Sequence, residues 1–103
     1  MNAISGRQAS PNRFIAVMVD LETRGVLRSN AVGNERQADT FERLIREGAA
    51  EKEATAAMVG RVDRIHRGFV IWSPEIQAIL KQARRTDESI ADTAKRCVLA
   101  AAK

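Results

Sequence analysis

Two side chains in this chain could do chemistry near neutral pH: His66, the sole histidine, and Cys97, the sole cysteine. Asp63 stands three residues before His66, a spacing that lets a carboxylate reach an imidazole on a helix. Arg64 and Arg67 flank the same histidine, however. Cationic neighbours disfavour the imidazolium that a Ser-His-Asp relay needs, and no motif supplies a nucleophile. His66 is therefore expected as an exposed or half-buried helix residue. Cys97 falls on the apolar stripe of the last helix, which suits a small buried hydrophobe. One His and one Cys cannot build a zinc site without several carboxylates, and the carboxylates are scattered, mostly paired with Arg or Lys at helical distance. Gly25, Gly33, Gly48, Gly60 and Gly68 are dispersed and lack a following Lys-Ser/Thr, so there is no phosphate loop. The expectation is a protein with no enzymatic activity, cofactor, metal or small-molecule substrate.

What the chain does concentrate is positive charge. Its 103 residues hold 17 Lys and Arg against 13 Asp and Glu, a net +4. Residues 1–60 balance eight against eight, and residues 86–103 three against three. The band 61–85 carries Arg61, Arg64, Arg67, Lys81, Arg84 and Arg85 against only Asp63 and Glu75, which is the entire excess. Arg61, Arg64 and Arg67 are three apart, so the spacing predicts a row along one side of a helix whose inner side is Met58, Val62 and Ile65. Such a row can neutralise successive phosphates, which points to nucleic acid or another acidic partner; the alternative is a solvated helix face. Phe69-Val70-Ile71-Trp72 lies inside the same band. A chain this small would struggle to bury that whole run, so Phe69, Ile71 and Trp72 are expected as partner or dimer anchors, with Trp72 as a core anchor the competing role.

The elements that must position these residues follow from periodicity and punctuation. Ser10-Pro11 with Phe14, Val17, Met18 and Leu21 predicts a first helix closed by Gly25. The alternative is a hairpin over 14–32, favoured by the β-branched Ile15, Val17 and Val19. Asn34, with Gln37 three residues on, predicts the start of a helix whose inner face is Ala38, Phe41, Leu44, Ile45 and Gly48 or Ala49. Ala54, Met58, Val62 and Ile65 form another stripe, capped by Gly68. A short strand is placed at 69–72. Ser73-Pro74-Glu75 opens a helix with Ile76, Ile79, Leu80 and Ala83 inward, and 84–87 breaks it. Thr86 or Asp87 caps a last helix lined by Ile90, Ala94, Cys97, Val98 and Ala101.

No internal repeat of useful length is evident; Thr23–Val26 and His66–Phe69 share only an Arg-Gly-apolar turn. The fold expected is mainly α, four to five short helices in one small domain (13–103), with an α+β arrangement the alternative. Residues 1–12 read as a flexible arm rather than a signal peptide, because they hold no apolar run. The longest apolar run, Phe14 to Val19, is too short to span a bilayer, and a cytoplasmic location is expected.

The stretch 68–99 resembles the ribbon-helix-helix family of DNA-binding proteins. The resemblance lies in Phe69-Val70-Ile71-Trp72-Ser73-Pro74-Glu75-Ile76, then Leu80-Lys81-Gln82-Ala83-Arg84-Arg85-Thr86, then Ser89-Ile90-Ala91-Asp92: a strand, a Ser-Pro-Glu helix start, an Ala-Arg-Arg-Thr helix end and a second helix. It implies a homodimer in which two strands pair and enter the DNA major groove. Arg67, Phe69 and Ile71 would face outward, and a phosphate clamp would fall near Thr86 to Ser89. The function expected is a small non-enzymatic nucleic-acid-binding or regulatory protein. The alternative is a protein-binding adaptor or inhibitor, for example a mobile-element protein docking on a host complex.

Overall fold

The computed structural model describes residues 14–51 and 61–102. Strand β1 (Ile15–Asp20) leads directly into helix α1 (Leu21–Asn30), followed by α2 (Gln37–Ala50). Strand β2 (Ile65–Ile71) then leads into α3 (Pro74–Ala83) and α4 (Ile90–Ala101). The two strands pair antiparallel as a two-stranded ribbon, with Ile15 opposite Ile71 and Val17 opposite Phe69. Among the described residues the architecture is thus four helices and a small sheet.

The expected first helix is a strand. Ile15, Val17 and Val19 are β-branched and alternate, and Val17 and Val19 are buried while Phe14 and Leu21 are exposed. The α+β alternative comes nearer, but the strand's partner is β2, since 21–30 is helical. Asp20 makes this switch: its carboxylate accepts from the Thr23 N–H at 2.9 Å and caps α1. Gly25, expected to end a helix, sits inside α1. The residue that needs left-handed backbone is Gly33, φ 60°, in the turn before α2. Helix α2 starts at Gln37 with Arg36 as N-cap, two residues later than an N-cap at Asn34 would place it. Ser73 caps α3 and Ser89, not Thr86 or Asp87, caps α4. The 1–12 arm, Ser10-Pro11, Ala54 and Met58 lie outside the described residues.

The chain is a repeat, contrary to the reading of the sequence. Among the described residues each half is β-α-α, and the helices correspond at an offset of 53 positions. Asp20 and Ser73 cap the first helices, and Arg36 and Ser89 occupy the N-cap positions of the second. Leu27 matches Leu80, Ile45 matches Val98, and all four are fully buried. The strands correspond one residue earlier, because Trp72 is an extra residue between β2 and Ser73. Val17 and Phe69 are both equivalent and directly paired, so an approximate two-fold axis passes through that pair.

One core forms on the helical side of the ribbon. Val17, Val19, Phe69 and Ile71 point into it and meet Leu27, Phe41, Leu44, Ile45, Ile76, Leu80, Ala94 and Val98. Phe41 and Phe69 stack at 5.1 Å between ring centroids. Each large side chain so buried contributes roughly 1.5–3 kcal/mol. Among the described residues no helix is long and apolar enough to cross a membrane.

Helices α2 and α4 touch closely where Gly48 faces the Cys97 backbone; a Cβ on Gly48 would lie 1.8 Å from the Cys97 carbonyl oxygen. Gly48→Ala should therefore destabilise by about 1–3 kcal/mol or more, since backbone must move to admit the methyl. Gly25→Ala has open space around its new methyl and should stabilise by about 0.5–1 kcal/mol. Thermal unfolding of both variants checks the opposite signs.

Candidate nucleic-acid interface

Each half locks its helix–helix turn with the same three side chains. In the first, Thr40 Oγ1 donates to Glu35 Oε1 at 2.8 Å and Arg43 Nε to Glu35 Oε2 at 3.0 Å. In the second, Thr93 Oγ1 donates to Glu88 Oε1 at 3.0 Å and Arg96 Nε to Glu88 Oε2 at 2.7 Å. The arginine in each also donates to the last carbonyl of the preceding helix, Asn30 at 2.7 Å and Ala83 at 2.6 Å. The glutamate in each accepts a turn N–H, from Val32 and from Arg85, both at 3.1 Å. Hydrogen bonds from Arg43 hold Glu35 at a pKa of about 2. Burial opposes the ionisation of Glu88, but Arg96, the Arg85 N–H and Thr93 reverse that and hold it at about 2. The matching Glu, Thr and Arg spacings were the sequence signal of the repeat, and a comparison of the chain with itself at this offset finds them.

The basic band does not form a helical row. Arg61 and Arg64 precede β2 in irregular chain and Arg67 lies within it. The lead-in is pinned to the fold: Lys95 Nζ donates to the Arg61 carbonyl at 2.8 Å, and Asp20 Oδ2 and Asp92 Oδ1 accept the N–H groups of Asp63 and Val62. Arg61 also approaches Asp87 at 3.7 Å, which brings it beside the α3–α4 turn that carries Arg84 and Arg85. Arg84 donates to the Glu88 carbonyl at 2.6 Å, and Arg85 is partly buried. Lys81, Arg64 and Arg67 are exposed, and the Arg67 guanidinium lies 4.8 Å from the centroid of the Phe69 ring. His66 belongs to β2, not to a helix.

The outward strand positions are the reverse of those expected. Phe69 and Ile71 are buried in the protein's own core and cannot anchor a partner; Trp72 alone of the three is exposed. Trp72 stacks on exposed Phe14, a residue assigned to a helix core by its spacing, with centroids 4.9 Å apart. At the clamp expected near Thr86 to Ser89, Ser89 and Asp92 form a reciprocal capping box at the start of α4. At the start of α2, Arg36 makes no side-chain cap.

Besides the Glu88–Arg96 pair, a second ion pair is buried. Lys95 Nζ reaches Asp20 Oδ2 at 2.7 Å, both nearly inaccessible, and exposed Glu22 at 3.1 Å. Burial opposes the charge on Asp20, yet Lys95, the Asp63 N–H and Thr23 hold its carboxyl far below the usual range. Cys97 is buried, and burial pushes its thiol pKa up. A cavity of about 710 Å³ opens beside the C-terminal ends of α2 and α3; Arg46 and Arg96 on its wall are engaged by Glu75 and Glu88. Among the described residues no group of His, Cys, Asp or Glu is arranged to hold a metal.

Asp20→Asn should cost about 3 kcal/mol, because it removes the buried counter-charge of Lys95 and leaves the ammonium only exposed Glu22 and the Arg61 carbonyl. Glu75→Gln, which breaks the exposed pair with Arg46, should cost about 0–1 kcal/mol. Glu35 and Glu88 ionise at about 2 against an ordinary 4.5, so their stabilisation is complete above about pH 4.5 and is lost as pH falls towards 2. The melting temperature should fall over that window, less steeply for Glu88→Gln than for the wild type. Searches against protein-family models, curated proteins and solved structures each found no match to this chain.

Proposed function

We propose that this chain is a small non-enzymatic DNA-binding regulatory protein that lays its ribbon against a duplex and is held there by phosphate contacts from the band 61–85. The observation that carries the reading is the doubled β-α-α unit wrapped on one antiparallel ribbon. The ribbon-helix-helix resemblance of residues 68–99 implies the same order of elements, assembled from two chains. Here residues 15–50 supply the other half, so the ribbon needs no second copy. The approximate two-fold axis also exchanges the two interhelical turns, so they flank the ribbon one on each side. Duplex DNA has a matching pseudo-two-fold backbone.

Charge placement supports the reading. Arg64, Arg67 and Lys81 are exposed, and Arg84 stands at the turn. Guanidinium and ammonium groups so placed can displace condensed counterions. The protein-adaptor reading is favoured by a different observation, the exposed Phe14–Trp72 pair, since exposed aromatic rings also suit an apolar protein surface.

Binding to a 30-base-pair duplex should be measurable at low salt and fall steeply with added salt, with a log–log slope of about −4 for four or five phosphate contacts. Arg64→Ala should weaken binding to every sequence alike and reduce that slope by about one. No binding at roughly 50 mM salt, a condition where phosphate contacts are strong, overturns the proposal. Trp72→Ala that stays folded and keeps DNA binding while losing a captured protein supports the adaptor instead.

A further inference from the structure

The ribbon turns its second face away from the core, and that face is apolar. Ala16 and Met18 on β1 and Gly68 and Val70 on β2 alternate outward, with Phe14 and Trp72 extending the strip at one end. Met18 lies across Gly68: a Cβ added there would stand 2.9 Å from the Met18 methyl carbon. The centre of the strip is therefore methyl and thioether surface, level with the backbone. Apart from the Trp72 indole N–H at the far end, none of these six side chains can donate or accept a strong hydrogen bond. These six positions cannot read base edges through polar contacts.

We propose that this face contacts thymine methyl groups on the floor of the DNA major groove, so that the protein prefers thymine-rich duplex. The proposal rests on the DNA-binding reading above and names what the ribbon recognises. The major groove is about 12 Å wide and admits a two-stranded ribbon. The thymine C5-methyl is the one apolar group that a base pair presents there. Met18, Ala16 and Val70 offer small or pliable apolar surface of the kind that packs on a methyl. Charge selects DNA over a second copy of this chain as the occupant: the band 61–85 holds the whole net +4, and exposed Arg61 and Arg64 lead into the strand that carries Val70. A second copy would bring its own +4 excess with it, which repels, whereas a duplex supplies the opposite charge. Geometry selects DNA over RNA, whose A-form major groove is too deep and narrow for side chains to read and whose uracil lacks the methyl.

The test replaces thymine by deoxyuridine in a 20-base-pair duplex, which deletes the methyl groups and leaves every hydrogen-bonding edge in place. Affinity of the full chain should drop about three- to fourfold for each methyl contacted, so about tenfold for two. Trp72 is the sole tryptophan, so a change in its emission on binding reports contact at the ribbon face. Val70→Asn alters an exposed strand position; it should keep the melting transition and the salt slope while losing the preference for thymine over deoxyuridine. Equal affinity for the two duplexes, with binding intact, overturns this inference and leaves the DNA-binding reading standing. Absence of binding to either duplex at low salt overturns both. A doubled mass by light scattering, with Trp72 emission shifted to the blue before DNA is added, also overturns it, because a second copy would then occupy the strip.

Discussion

Asp20 holds the structure together at the point where its parts meet. One carboxylate ends β1, caps α1 through the Thr23 N–H and hydroxyl, receives Lys95 from α4, and receives the Asp63 N–H from the lead-in to β2. A buried carboxylate is costly unless every lone pair is used, and this one accepts four hydrogen bonds. The result is directional. A hydrophobic contact at the same place would add stability but would not fix which residue follows β1 or where the second strand enters. Lys95 completes the arrangement by donating to the Arg61 carbonyl, so the basic lead-in is held by backbone contacts while its side chains stay outside.

Around that point, the two halves use one shared device and several unshared ones. The Glu-Thr-Arg clamp appears in both, because each half must close the same turn between two helices whose ends leave carbonyls and N–H groups unsatisfied. The arginine takes the last carbonyl of one helix while the glutamate takes N–H groups of the turn. The Asp20–Lys95 pair has no counterpart, since Ser73 and Glu42 occupy the equivalent positions. Gly48 and Cys97 make the tight crossing of α2 and α4, where the two-fold-related positions are Ala101 and Leu44.

The second half of the chain was legible in the sequence because its punctuation is explicit. Ser73-Pro74 and Ser89 mark helix starts, and Ile76, Leu80, Ala94, Cys97 and Val98 are the core residues that helical spacing predicts. The first half is ambiguous because its strand of six residues also satisfies a helical period: Phe14, Val17, Met18 and Leu21 fit a helix as well as Val17 and Val19 fit a strand. What decided the matter is not local. β2 offers Phe69 and Ile71 to the same core, and Asp20 needs Lys95 from 75 positions away. Propensity within a window cannot include a partner that lies outside it. The parity error at Phe69 and Ile71 has the same origin, since a two-residue period fixes alternation but not which face the core will take.

Joining two β-α-α halves in one chain removes the constraint that symmetric strands must be identical. β1 and β2 have diverged: between its paired ends β1 carries only apolar side chains, whereas β2 holds Arg67 and follows Arg61 and Arg64. Trp72 is an addition to the second half alone, and it places an exposed ring against Phe14 at one end of the ribbon while the arginines gather towards the other. A ribbon with an aromatic end and a cationic end has a direction, which no symmetric pair of identical strands can have. Whatever docks along it meets cationic groups at one end and flat apolar surface at the other. The fold's approximate two-fold axis therefore holds for the backbone and for the interhelical clamps, and the side chains of the ribbon depart from it.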